Sequence, residues 1–148
     1  MADNAALSYL RSDLVTCLSA AQDHLPGGYD FLLVEGFRPF ELQEHYFSSY
    51  RDELQSMDGS LSDEESFQLA SRYVSPPPIA PHVSGAAIDL SMVVRDGAEC
   101  DMGTAINATP EDSKGACYFA ATNISTEARH HPTTIGAVWT DQPGRAGL

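Results

Sequence analysis

The sequence predicts an α+β fold, with two or three helices packed on a small, mainly antiparallel sheet in one domain spanning residues 1–148. Three observations carry that expectation. Leucines recur at near-helical spacing in the first 25 residues, a capping-box pair (Ser62 and Glu65) heads a later helix, and an alternating run from Ala87 to Val94 precedes the hairpin signal Asp96-Gly97.

In chain order, residues 5–25 read as an amphipathic helix, with Leu7, Leu10, Leu14, Leu18 and Leu25 near one face and Pro26-Gly27-Gly28 as its stop. Phe31-Leu32-Leu33-Val34 is a short apolar strand that runs into the turn Glu35-Gly36-Phe37-Arg38-Pro39. A second helix is expected over residues 41–54, with Leu42, His45, Tyr46, Ser49 and Tyr50 on one side, and a third over residues 62–73. Ser75-Pro76-Pro77-Pro78 forces extended backbone. A strand over residues 86–95 should then pair with a short return strand at 99–102. Residues 103–125 look irregular, and Ser125-Thr126-Glu127 opens a last helix that Pro132 interrupts. Ile135, Val138 and Trp139 are expected to form a small apolar patch.

Composition narrows the function. Eight Lys and Arg against 21 Asp and Glu give a formal charge of -13, which repels nucleic acid and anionic lipid and sets both aside as partners. No apolar stretch is long enough to span a membrane. Three cysteines, at 17, 100 and 117, show no C-x-x-C pair and read as free thiols of a reducing compartment. The N-terminus lacks a basic start followed by an apolar run, which favours the cytoplasm. Nothing in the sequence fixes the oligomeric state.

The segment PHVSGAAIDL, residues 81–90, concentrates the chemistry. His82 stands seven residues before Asp89, and an imidazole and a carboxylate are common ligands of zinc. The small residues between them, Gly85 among them, let the backbone turn tightly and approach an ion or substrate. Two such residues alone also fit an ordinary side-chain pair with no metal. Arg38 in the turn after the first strand is a candidate for charge stabilisation, with a structural ion pair to Glu35 as the alternative.

Four blocks, EGFRP at 35–39, PHVSGAAIDL at 81–90, DMGT at 101–104 and ISTEAR at 124–129, occur in that order. Together they resemble the D-alanyl-D-alanine dipeptidases of the VanX type, zinc peptidases of the hedgehog-like α+β fold, over roughly residues 10–130. The resemblance implies hydrolysis of D-alanyl-D-alanine or a related small dipeptide in cell-wall metabolism, with Zn2+ as cofactor. It implies that His82 and Asp89 are the first two zinc ligands and that Gly85 occupies one of the small positions near the substrate. It also implies that Arg38 stabilises negative charge gathering on the scissile carbonyl oxygen, as a fixed guanidinium in a dry site does.

The sequence departs from the family pattern in ways that bear on activity. The family's third ligand and general base lie in an E-W-W-H block, whereas this chain ends at Ala146-Gly147-Leu148, so that neither is found and the domain reads as truncated relative to the family. The family's Ser two places before the first His is Ala80, and the acidic residue expected to grip the substrate's free amine is Asn107, which offers no charge to an ammonium. His130 and His131 are candidate substitutes for the third ligand; they are adjacent, so at most one faces a site, and the competing reading is a solvated surface. Glu127 is a base by residue type only, and His45 reads as a half-buried packing residue. The expectation for the chain by itself is weak zinc binding with little hydrolysis; the alternative to an enzyme is an inactive homologue that binds a metal or peptide weakly.

Overall fold

The structure, a computed structural model, describes residues 8–118 and 120–131. The expected patch around Trp139 lies outside the described residues, as does Leu7. The chain is α+β, with helices α1 (Ser12–Gln22), α2 (Phe40–Met57) and α3 (Asp63–Ala70) and strands β1 (Tyr29–Glu35) and β2 (Asp89–Val94). A further helical segment starts at Thr126 and runs to the last described residue, His131. β1 and β2 form a two-stranded sheet. They are antiparallel, because the N–H of Arg95, just past the end of β2, donates to the carbonyl of Gly28, just before β1 (3.1 Å). The Asp96-Gly97 turn forms, with Val94 N–H donating to Ala98 O at 2.9 Å, and the return strand shrinks to one bridge between Val93 and Glu99.

The fold divides into two compact units. Among the described residues, the first takes in 8–11 together with Glu35–Asp89; the second takes in Ser12–Val34 and the described residues from Leu90 to His131.

In the first unit the apolar core lies between α2 and α3, built from Phe47, Tyr50, Leu54 and Ala70 with Leu61, Phe67, Tyr73 and others packed around it. Phe47 meets Phe67 edge-on at 5.2 Å, and Tyr50 meets Tyr73 the same way. The buried stripe of α2 is Gln43, Phe47, Tyr50 and Leu54, spaced four, three and four residues apart. The expected face through Leu42, His45, Tyr46 and Ser49 is therefore rotated, and His45 is exposed rather than half-buried. The physical reason is that a polar residue, Gln43, occupies an inward position. α3 begins where the capping box places it: Ser62 Oγ accepts from Glu65 N–H, and Glu65 Oε2 accepts from Ser62 N–H.

The N-terminal helix starts later than its leucine pattern suggests. Tyr9 O accepts from Phe37 N–H (2.7 Å) and Arg11 N–H donates to Gly85 O (3.1 Å), so residues 9–11 commit their backbone to the first unit and cannot also join a helix. In the second unit Gln22, at the end of α1, accepts from Phe31 N–H (2.8 Å) and donates to Asp30 (2.9 Å), which ties helix to strand. Its buried residues include Ala21, Met92, Ala128 and His131.

Candidate metal and guanidinium site

The site residues are carried by two loops of the first unit that are stitched together through their backbones. Arg38 N–H donates to His82 O at 3.1 Å, and His82 Nδ1 bonds Gly36 O at 2.7 Å. His82 sits in a 3₁₀ turn, Pro81–Ser84, which Pro81 initiates and Gly85 closes in the left-handed region (φ +65°). A Cβ on Gly85 would meet nothing nearer than 3.7 Å, so glycine is required here by conformation and not by a close approach. The turn also delays β2, which begins at Asp89. Asp89 therefore stands at the first position of a strand, half-exposed, and not inside one as the expected bounds of 86–95 imply.

His82, Asp89 and Arg38 come together. His82 Nε2 lies 3.5 Å from Asp89 Oδ1, and Arg38 Nη2 lies 3.9 Å from Asp89 Oδ2. A carbonyl oxygen only accepts, so the bond to Gly36 places a proton on Nδ1 and leaves Nε2 of the neutral ring unprotonated, 3.5 Å from Asp89 Oδ1. Asp89 raises the His82 pKa above the ordinary value, chiefly by accepting a hydrogen bond from Nε2 once the ring is protonated; burial and the nearby Arg38 charge oppose the rise, and the Gly36 bond adds to it.

Arg38 makes the structural pair with Glu35 that the sequence leaves open. Its Nε and Nη2 donate to the two Glu35 oxygens at 2.7 and 2.6 Å, a side-on bidentate fork. Nη1 donates to Gln43 Oε1 at 2.7 Å, and the ring of Tyr46 lies 5.0 Å from the guanidinium carbon. Burial disfavours the charged guanidinium, but the hydrogen bonds and charge of Glu35, with the charge of Asp89, outweigh it and leave the pKa raised.

His82 and Asp89 pass a geometric test for zinc. Two ligand atoms about 2.0–2.1 Å from a tetrahedral ion stand about 3.4 Å apart, and Nε2 and Oδ1 are 3.5 Å apart. The Nδ1 bond to Gly36 O is the outer support that metal-bound imidazoles use. The donor set stops there: among the described residues no group of three or more His, Cys, Asp or Glu side chains could hold a metal ion. The residues present fit two corners of a zinc site.

The remaining candidates belong to the second unit. Asn107 is exposed in a turn with φ +62°. Glu127 and His130 are exposed. His131 is buried, 6% exposed, and not on a solvated surface as expected; its Nδ1 bonds Asp101 O at 2.8 Å and its ring lies 6.0 Å from that of Tyr29. Asp101 Oδ1 in turn accepts from Gly103 N–H (2.8 Å), and Ile124 packs against the face of Gly103 where a Cβ would be. The DMGT and ISTEAR blocks thus meet through Gly103 and Ile124. Gln43 is the site neighbour that sequence reasoning missed; the only available signal was a polar residue in register with Phe47, Tyr50 and Leu54.

No family model matches the chain, and no curated protein or solved structure gives a significant match. Among the described residues no helix is long and apolar enough to cross a membrane.

Proposed function

We propose that His82 and Asp89 form the two-donor half of a divalent-cation site, with Arg38 beside it, serving zinc-dependent hydrolysis of D-alanyl-D-alanine or a related dipeptide in cell-wall metabolism. The observation that carries this reading is the 3.5 Å approach of His82 Nε2 to Asp89 Oδ1, with Nδ1 already bonded to Gly36 O. Bound zinc would supply Lewis acidity at the scissile carbonyl. Within the chain, His82 and Asp89 would hold the ion and Arg38 would stabilise charge on the carbonyl oxygen through its uncommitted N–H groups. The order of the four sequence blocks supports membership of the VanX-type dipeptidases, with the hedgehog-like fold, Asn107 and Gly85 near the substrate, and a cytoplasmic setting as parts of the same proposal.

Turnover also needs a third ligand, and among the described residues no further His, Cys, Asp or Glu completes a three-donor group with His82 and Asp89. That observation favours a second reading, in which the chain by itself holds metal weakly and hydrolyses little. Metal analysis of purified protein together with a ninhydrin assay on D-alanyl-D-alanine tests both. Zinc that is readily stripped by a chelator and lost in His82→Ala and Asp89→Ala supports the half-site. Zinc uptake unchanged in both variants overturns it. Turnover above background overturns the second reading and supports the enzyme.

A further inference from the structure

We propose that Gln43 is the positioning residue of the Arg38 site: it locks the plane of the guanidinium and leaves the outer fork of that group to a ligand oxygen. The inference rests on reading Arg38 as a ligand-facing residue, as above. Glu35 and Arg38 stand three apart in one strand-to-helix turn, so their pair ties the guanidinium only to its own turn. Gln43 belongs to α2, and it ties that pair to a helix whose own core is buried.

The amide has one possible orientation. Its Nε2 donates to Ser75 O at 2.7 Å, and its Oε1 accepts from Arg38 Nη1 at 2.7 Å. A flip would set a donor against the guanidinium, which only donates, and an acceptor against a carbonyl, which only accepts. The side chain is essentially buried (1% exposed), where an amide is costly unless both ends are paired. Packing beside Phe47 would be served equally by leucine or methionine; the polar group is accounted for by Arg38 and Ser75. Tyr46, three residues further along α2, lies beneath the guanidinium, so one helix sets both its edge and its face.

Counting donors shows what remains. A guanidinium carries five N–H groups. Nε and Nη2 each give one to Glu35, and Nη1 gives one to Gln43, which leaves one N–H on each terminal nitrogen among the described contacts. Asp89 Oδ2, 3.9 Å from Nη2, attracts that edge without hydrogen bonding to it. The two remaining N–H groups are suited to a carbonyl or carboxylate oxygen of a ligand held beside His82 and Asp89.

Nitrogen-15 NMR of the arginine side chains tests this in the full chain. In the wild type, rotation about the Arg38 Cζ–Nη bonds should be slow and its Hη signals separately resolved, while the exposed Arg72 gives averaged signals. Gln43→Met should speed Arg38 rotation about tenfold or more, the factor implied by loss of one hydrogen bond to a charged group, and Gln43→Glu, which keeps the acceptor for Arg38 while giving up the bond to Ser75 O, should restore slow rotation at some cost in stability. Arg38 rotating as freely as Arg72 in the wild type overturns the proposal, and so does an unchanged rate in Gln43→Met. If Gln43→Met does not fold, the wild-type comparison and Gln43→Glu decide it. Titration of the wild type with zinc alone is scored separately: failure there defeats the metal reading and leaves the guanidinium result standing.

Discussion

Gly103→Ala is the sharpest structural prediction, with Gly85→Ala as its control. Both glycines have positive φ, +98° at Gly103 and +65° at Gly85, so an L side chain at either meets a left-handed penalty. That penalty is about 1–2 kcal/mol. They differ in room. At Gly85 the nearest atom to a new Cβ is Arg11 N at 3.7 Å, an ordinary contact. At Gly103 the Cβ would stand 2.9 Å from Ile124 Cγ2, 3.2 Å from its Cβ and 3.3 Å from its Cδ1. All three atoms belong to a β-branched residue with a stiff χ1, so the neighbour cannot swing away without moving backbone. Overpacking of this kind costs about 1–3 kcal/mol, which brings Gly103→Ala to about 2–5 kcal/mol against about 1–2 kcal/mol for Gly85→Ala. Urea unfolding followed by circular dichroism reads both. Ile124→Ala removes two of the three close atoms, so the double variant Gly103→Ala/Ile124→Ala should be more stable than the two single costs predict, by about 1 kcal/mol. A Gly103→Ala cost no larger than that of Gly85→Ala, or strict additivity in the double variant, would show that the DMGT and ISTEAR blocks do not meet as described.

Three further outcomes follow from the same reasoning. In chelator-treated protein His82 should titrate above the ordinary histidine value and fall back in Asp89→Asn, because the bond that the protonated ring can give Asp89 is the main cause of the rise. A raised folded-state pKa gives stability that is fully present below the unfolded-state value and is lost as pH rises through the folded-state value. Asp89→Asn should therefore destabilise more at pH 5 than at pH 9; an equal effect at both would remove the pair as its source. Ser62→Ala should cost about 1 kcal/mol through loss of the α3 cap, read by urea unfolding, and no change would contradict the capping box. Phe47→Ala should cost about 3–5 kcal/mol while His45→Ala costs almost nothing; the reverse order would mean that the face through His45, and not the one through Phe47, is turned inward.

Much of this was legible in the sequence because it depends on local chemistry. The capping box at Ser62, the Asp96-Gly97 turn and the strand expected over residues 86–95 are short-range signals; the structure carries the first two, and forms the strand from Asp89 to Val94. The approach of Arg38 to the His82 loop follows from no local rule. It depends on reciprocal bonds between residues more than forty positions apart, and the sequence pointed to it only through the order of the four blocks. What misled was polar residues in buried places. Gln43 hid the register of α2 because an amide in an apolar stripe reads as surface, and His131 read as solvated because its partner, a backbone carbonyl at Asp101, leaves no mark on the sequence. The late start of α1 has the same origin: the backbone bonds of Tyr9 and Arg11 to distant residues override a leucine spacing that favours helix.

The proposed site has the imidazole of His82 and the carboxylate of Asp89 sharing one cation. Anomalous diffraction at the zinc edge from crystals grown with zinc measures this directly. A shared ion gives a peak about 2 Å from both His82 Nε2 and Asp89 Oδ1, with Nδ1 still bonded to Gly36 O. A peak elsewhere on the chain, with His82 and Asp89 joined only to each other, would contradict it.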